Sequence, residues 1–136
     1  MAVPLRYAPG DEVREGRVYR RIPNYGTYFD YENEMVHVSL FVPRPRDKGV
    51  LSAFLNRADA IASLECPEHA GFGLCGLEIA AMRELTAEQA RIEFAPTLSP
   101  FGASHVKILG CLVEEVREAL SLIAEVELQP VRETGT

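Results

Sequence analysis

An amphipathic segment near the C-terminus constrains the fold of this chain more than any other feature. Its apolar side chains recur at the three- and four-residue spacing of one helix face: Leu112, Val113, Val116, Ala119, Leu120 and Ile123. Charged residues such as Glu114 and Arg117 face away from that stripe. A helix with one apolar face is stable only when that face packs on another element. The pattern therefore predicts a helix that covers a sheet.

Short apolar stretches elsewhere predict the strands of that sheet. Alternating side chains or flanking turn residues indicate strands at 17–22, 35–42, 72–81, 105–109 and 125–128. Thr86 with Gln89 forms a capping-box pattern, which predicts a short helix over 87–91. Strands that alternate with short helices indicate an α+β fold. We expect a single small domain with a mixed or antiparallel sheet and helices packed on one face.

Residues 50–64 fit two interpretations. Their apolar side chains fall on a single helical stripe, as in one continuous helix. They also fit a strand at 50–55 followed by a helix that Asn56 caps, with Asp59 three residues later. We favour the strand followed by a helix, and the single helix stays open.

The chain has 136 residues, a length that favours one domain. Its composition, 47% apolar and 25% charged, is typical of a folded globular protein. Prolines, a glycine and charges without apolar periodicity occupy the first residues. We expect a flexible N-terminal arm at 1–16, one domain at 17–130 and a tail at 131–136.

Charge and targeting signals restrict the partners. The formal net charge is −6, from 14 Lys and Arg against 20 Asp and Glu. This charge argues against electrostatic binding of nucleic acid or anionic lipid over a large part of the surface. The longest apolar stretch, 70–82, is too short to span a membrane and contains Glu78. Three cysteines without a signal-peptide pattern are typical of reduced thiols. The sequence predicts a cytoplasmic protein with no membrane partner.

Cys66, His69 and Cys75 form a weak candidate metal site. These three residues offer sulfur and nitrogen ligands within ten positions of the chain. Their spacing is not a paired C-x₂-C form, and a free cysteine in an apolar run behaves as a small core residue. We favour the interpretation in which Cys66 and His69 lie in a turn and Cys75 lies in a buried strand. The nearby glycines form neither a Walker loop nor a dinucleotide loop, so no cofactor is predicted.

His105 is a candidate catalytic residue. It follows a loop with Pro100 and Gly102 and begins a predicted strand, where a side chain can face a cleft. Imidazole titrates near neutral pH, so a histidine there could serve as a general acid or base. Alternatively, its ring bonds a loop carbonyl and packs against the sheet. Ser104 would point to the opposite strand face, so no nucleophile and base pair is evident.

Basic residues form two local groups in this acidic chain: Arg17, Arg20 and Arg21, and then Arg44, Arg46 and Lys48. On neighbouring strands, guanidinium groups could bind a phosphate or carboxylate through paired hydrogen bonds. The alternative is intramolecular ion pairing with the surplus carboxylates. The candidate ligand-binding residues are Arg20, Arg44, Arg46 and Tyr25, the last from a tyrosine-rich loop at 24–33 that offers a stacking surface or folds onto the core.

Several short motifs follow one another in order: VYRRIP at 18–23, LS at 51–52, REL at 83–85, HVKILG at 105–110 and a helix that leads to Pro130. In this order the chain resembles an uncharacterised family of small bacterial proteins with an R-R-I-P opening strand and an H-x-x-I-x-G motif before the last helix. The resemblance covers about residues 17–130. It implies a single domain, transfers no activity, and makes His105 the first residue to test.

Two function classes follow from these observations. The first is a non-catalytic module of a multi-gene system that binds a protein partner or a ligand and self-associates, since no cofactor motif or nucleophile and base pair is visible. The alternative is an enzyme acting on a phosphate-bearing or nucleotide-like substrate. Arg20 or Arg21 would then hold the anion and His105 would act as acid or base. A small anionic ligand fits either class, whereas nucleic acid fits neither.

Overall fold

A seven-stranded sheet organises the part of the chain that the structure, a computed structural model, describes: residues 6–132 without the side chain of Asp47. The strands are β1 Glu12–Val13, β2 Arg17–Ile22, β3 Phe29–Asp30, β4 Met35–Val36, β5 Leu51–Phe54, β6 Gly73–Glu78, β7 Arg91–Phe94, β8 His105–Leu109 and β9 Glu125–Leu128. The α-helices are α1 Arg57–Ser63, α2 Ile79–Leu85 and α3 Glu114–Ile123. Short 3-10 helices cover Val38–Phe41, Pro45–Asp47, Pro67–His69 and Gly102–Ser104.

The main sheet has the strand order β1-β7-β8-β5-β2-β6-β9, while β3 and β4 form a separate hairpin. Each pair of neighbours in the main sheet is antiparallel. The predicted α+β fold is therefore confirmed, with the antiparallel form of the sheet. The structure also selects the strand followed by a helix for residues 50–64, because β5 ends two residues before Asn56 and α1 begins directly after it.

The two faces of the sheet carry different helices. The buried residues Ile79, Met82, Val116 and Leu120 of α2 and α3 belong to the main core. On the opposite face, Ala60 of α1 joins a smaller cluster with Phe54 and Leu74. We predicted helices on one face only, and α1 differs. Its short connection from β5 places it over Phe54 and Leu74, whose apolar surface would otherwise face water.

Residues 35–42 form a short strand and a 3-10 helix instead of the long strand predicted from their alternation. Leu40 and Phe41 are consecutive and both buried, whereas Val38 and Val42 are each 40% exposed. A strand sends consecutive side chains to opposite faces, so it cannot bury both residues in one core. The turn at Val38–Phe41 allows both side chains to enter the core, where the same segment packs against α3.

The predicted strand over 72–81 ends earlier than expected. β6 stops at Glu78, and the apolar residues after it form α2. Thr86 ends that helix and does not begin one over 87–91: its Oγ1 donates to the Met82 carbonyl (2.8 Å) and accepts from the Ala90 amide (3.0 Å). The prediction of a helix that begins at Thr86 was therefore wrong, because Thr86 lies at the C-terminal end of α2.

The N-terminal segment predicted as a flexible arm contributes to the sheet. Val13 is fully buried and pairs with Ile92, and the Gly10 amide donates to the Phe94 carbonyl (2.8 Å). These backbone bonds and the burial of Val13 offset the entropy lost by ordering the segment. Residues 1–5 of the arm and 133–136 of the tail lie outside the described residues. Within the described residues, none of the helices combines the length and apolar character needed to span a bilayer.

Candidate functional site

The candidate site lies where two central strands of the sheet stop pairing. β2 pairs with β6 at six positions but with β5 at one, where Tyr19 lies opposite Phe54. Past this position the side chain of Arg20 bridges the two strands. Its Nη1 donates to the Ser52 carbonyl (2.7 Å) and its Nε donates to the Leu40 carbonyl (3.1 Å). Arg20 therefore links β2, β5 and the 3-10 helix at Val38–Phe41.

A cleft of about 470 Å³ opens at this divergence. Its walls come from β2 and the loop after it, from residues 39–46, from β5, and from the turn at 68–72. A volume of this size is within the range of small-molecule sites, roughly 300–1,000 Å³. The cleft could therefore hold a ligand of nucleotide size.

Four arginines line the cleft: Arg20, Arg21, Arg44 and Arg46. Arg20 and Arg21 are consecutive on β2 and point to opposite sheet faces, and the cleft reaches both faces because the strands separate. Arg44 lies in the loop after the 3-10 helix at Val38–Phe41, Arg46 lies in the 3-10 helix Pro45–Asp47, and both are exposed. Among the described lining residues, Glu68 is the single acidic one. The site is thus strongly basic in a chain of net charge −6.

Arg21 is held at the cleft by an aromatic ring. Its Cζ lies 5.7 Å from the centre of the Phe54 ring, within cation-π distance. Burial lowers the pKa of the Arg21 guanidinium, while the Cys66 thiol and the Glu68 carboxylate act in the opposite direction. The group nevertheless stays charged at neutral pH, because arginine does not deprotonate there. An anion in the cleft would offset the cost of burying this charge.

The turn at 66–69 brings metal-ligating side chains to the cleft wall. The Nδ1 of His69 donates to the Ser63 carbonyl (2.7 Å), and its ring packs against Phe72 with centroids 5.1 Å apart. One ligand atom from each of Cys66, Glu68 and His69 lies within 4.8 Å of the others. His69 and Glu68 both line the cleft.

Cys75 does not join Cys66 and His69, although the sequence grouped the three as a candidate metal site. It is fully buried in the main core on β6, opposite Arg20 on β2. Burial raises the pKa of the Cys75 thiol to about 12. The position that completes the cluster is Glu68, which sequence analysis missed. Its place beside His69 in the same turn was the available signal.

His105 does not line the cleft, although it contacts Phe54, which does. Its Nδ1 donates to the Ala95 carbonyl (2.7 Å), and its ring meets the edge of Phe54 with centroids 5.8 Å apart. It is not among the lining residues. Strand pairing places His105 and Arg20 on opposite sheet faces. The His105 ring thus bonds a loop carbonyl and packs on the sheet, as in the alternative interpretation. Arg20 lies on the other face, whereas Arg21 shares the face of His105 and contacts the same Phe54 ring.

The basic groups predicted from sequence divide between two roles. Arg17 forms ion pairs with Glu125 (3.0 Å) and Glu127 (3.3 Å) on β9. Arg20, Arg44 and Arg46 line the cleft. Lys48 is exposed and outside the cleft lining. Ion pairing with β9 therefore accounts for Arg17, whereas the other four arginines, Arg21 included, line the cleft, and Arg20, Arg44 and Arg46 among them are the ligand-binding candidates from the sequence.

Tyr25 lines the cleft, as the ligand-binding hypothesis required, and is 48% exposed. Tyr28, from the same tyrosine-rich loop, also lines it, as does Phe72, which was not singled out from the sequence. These rings offer apolar faces beside the arginines, an arrangement suited to a ligand with a planar group and a charged group.

A scan against family models, a search of curated proteins and a search of solved structures each found no match to this chain.

Proposed function

We propose that this protein is a binding module for a small phosphate-bearing ligand of nucleotide size, held in the cleft between β2 and β5. The observation that carries the proposal is the convergence of Arg20, Arg21, Arg44 and Arg46 on one concave site. Two distant segments of an acidic chain supply these side chains. Grouping like charges has an electrostatic cost, which a bound anion removes.

Each part of the cleft has a separate role in this proposal. Arg20 shapes the floor, since two of its donors already bind the Leu40 and Ser52 carbonyls. Arg21 is stacked on Phe54 and presents an oriented guanidinium, whose planar donors match phosphate oxygens. Arg46 has no ion pair with another described residue. It can therefore turn toward a ligand from the loop side.

The aromatic lining supports a planar group on the ligand. Tyr25, Tyr28 and Phe72 line the same cleft as the arginines. Stacking of a base on such rings contributes about 1–3 kcal/mol in known single-strand sites. A nucleoside phosphate combines both features, and inorganic phosphate has one of them.

An enzymatic form of the same function would use His69 instead of His105. His69 lines the cleft, and its Nδ1 bond to Ser63 leaves Nε2 with its lone pair. This imidazole is the one placed to accept a proton from a ligand in the site. Release of phosphate from a bound nucleoside triphosphate, lost in His69→Ala and retained in His105→Ala, would favour catalysis over simple binding.

A second expectation from sequence, self-association or a protein partner, is supported by exposed apolar side chains beside and on α3. Leu112 is 71% exposed and Leu122 is 76% exposed. Sedimentation at increasing protein concentration tests it. A higher-mass species that Leu122→Gln abolishes would support association through α3, and a monomer at all concentrations would contradict it.

A ligand panel tests the proposal. Thermal stability of the purified protein would be measured with inorganic phosphate, pyrophosphate, a nucleoside, its monophosphate and its triphosphate. We expect the phosphate-bearing compounds to raise the melting temperature, the nucleoside triphosphate more than pyrophosphate, and the nucleoside alone to raise it least. The rise should shrink with added salt, because the contacts are ionic. No stabilisation by any phosphate compound would contradict the proposal.

A further inference from the structure

A cluster of three ligand atoms in the turn at 66–69 carries an inference that the anion-binding function does not use. A sulfur of Cys66, a carboxylate oxygen of Glu68 and a ring nitrogen of His69 lie within 4.8 Å of one another. No second group of three such side chains occurs among the side chains that the structure describes. Cys66 and His69 are half-buried and Glu68 is exposed, so the cluster is open to solvent.

The local fold explains why the three side chains meet. Pro67 begins a 3-10 helix, and the His69 amide donates to the Cys66 carbonyl (2.9 Å). In a 3-10 turn, residues three positions apart lie on the same side of the helix, so this turn aligns Cys66 with His69. The exposed Glu68 lies between them in the sequence, and one of its carboxylate oxygens lies within the same 4.8 Å.

The hydrogen bond of His69 resembles the one that orients metal-binding histidines. A carbonyl oxygen can only accept, so the bond to Ser63 at 2.7 Å places the hydrogen on Nδ1 and leaves the lone pair on Nε2. In protein metal sites the second ring nitrogen commonly donates to a carbonyl or carboxylate in this way. The packing against Phe72 further restricts the ring.

Charge and ligand type indicate the class of ion. A thiolate and a carboxylate together carry two negative charges, which a divalent cation neutralises. Sulfur and imidazole nitrogen suit zinc and related transition metals, whereas magnesium and calcium prefer oxygen ligands. Zinc lies about 2.0–2.3 Å from such ligands, so two ligand atoms on one tetrahedral ion are roughly 3.5 Å apart. Ligand atoms separated by up to 4.8 Å must therefore approach one another by roughly 1 Å, and rotation of the exposed Glu68 side chain contributes to this.

We propose that Cys66, Glu68 and His69 bind one divalent transition-metal ion of the zinc class, with a fourth position open toward the cleft. Sites with three protein ligands and one open position are typical of zinc that contacts a ligand or water. Glu68 and His69 line the cleft, so water or an anion held by Arg21 would complete the coordination. Only this fourth ligand depends on the proposed anion-binding function; the metal site itself does not.

Cobalt titration of the chelator-treated protein, in buffer free of phosphate, tests the site. We expect one equivalent to bind, with a thiolate-to-cobalt charge-transfer band and the intense visible bands of tetrahedral cobalt, and zinc should displace it. Cys66→Ser should abolish the charge-transfer band. His69→Ala and Glu68→Gln should weaken binding by about tenfold or more.

Matched variants make the result interpretable. His37→Ala and Glu65→Gln remove exposed residues of the same types outside the cluster, and both should bind cobalt as the parent protein does. Circular dichroism checks the fold of each variant. If Cys66→Ser fails to fold, the exposed Glu68→Gln still decides the question.

Absence of a charge-transfer band in the parent protein would overturn the metal site, as would unchanged binding in Glu68→Gln and His69→Ala. A phosphate titration of the metal-free protein separates this failure from the other proposal. Phosphate binding without metal would preserve the anion-binding function even if cobalt does not bind.

Discussion

The guanidinium carbon of Arg21 lies 5.7 Å from the centre of the Phe54 ring, at the point where β2 and β5 stop pairing. Phe54 thereby serves two functions, since it also packs with Ala60 and Leu74 beneath α1. The stack fixes one cation at the wall of a basic cleft without neutralising it. Through Phe54, the packing of α1 on the sheet is therefore connected to the position of Arg21 in the cleft.

Phe54→Leu should weaken phosphate binding through Arg21. Leucine keeps most of the apolar volume but removes the ring face, so the loss should be about 0.5–1 kcal/mol, or roughly a two- to fivefold weaker affinity. Calorimetry with pyrophosphate would measure it in the parent protein and in an Arg21→Gln background. An equal loss in both backgrounds would show that the ring acts on binding by another route.

Arg20→Met should destabilise the fold. The change removes the donors to the Leu40 and Ser52 carbonyls while keeping a side chain of similar length. Losing these two hydrogen bonds from a charged donor, one part-buried and one exposed, costs about 1–3 kcal/mol. Urea unfolding would measure this, with Arg91→Met at the exposed first residue of β7 as control. Equal unfolding free energies in the two variants would contradict the bridging role of Arg20.

Local sequence patterns predict some elements of this fold and miss others. Strands such as β2 and β8 are predicted well because alternation and neighbouring prolines or glycines are local signals. Residues 35–42 mislead because alternating valines resemble a strand, although the adjacent pair Leu40 and Phe41 already conflicts with strand alternation. Local pattern cannot show that both side chains pack into one core.

The cleft itself depends on long-range geometry. Arg20 and Arg44 are predicted as ligand-binding candidates from their charge, but only the divergence of β2 from β5 brings them to one site. His105 has the expected position at the start of a strand, yet strand register places it on the face away from Arg20. Register between distant strands is not encoded in any short segment.

His105→Ala and His69→Ala should differ in their effect on ligand binding. His105 bonds a loop carbonyl and does not line the cleft, so its removal should cost about 1 kcal/mol of stability and change phosphate affinity less than His69→Ala does. His69 lines the cleft, so His69→Ala should weaken binding. Calorimetry and urea unfolding of both variants check this pair. A larger loss of affinity in His105→Ala would reverse the assignment.

Alkaline pH should destabilise the protein through its buried thiols. Burial raises the pKa of Cys75 from 9.0 to about 12 and that of Cys111 from 9.0 to about 11. Above about pH 9 the unfolded chain loses these protons while the folded protein keeps them, so stability falls as the pH rises toward the folded values. Each thiol contributes a slope of at most about 1.4 kcal/mol per pH unit.

The double variant Cys75→Ala/Cys111→Ala provides the comparison for this pH effect. Lysines and tyrosines titrate in the same range, so the quantity of interest is the difference in slope between the parent protein and the variant. The unfolding free energy, measured from about pH 8 upward, should fall less steeply in the double variant. Parallel curves would indicate that these thiols do not lose protons differently on unfolding.

The affinity of pyrophosphate for Arg21→Gln, compared with Arg91→Gln and the parent protein, tests the basic cleft most directly. Both substitutions remove one positive charge, but Arg21 lines the cleft and Arg91 is exposed on β7 outside it. Losing a charge-assisted bond to phosphate costs about 1.5–3 kcal/mol, so Arg21→Gln should bind at least about tenfold more weakly. Arg91→Gln should bind as the parent protein does, and equal affinities in all three proteins would contradict an anion site between β2 and β5.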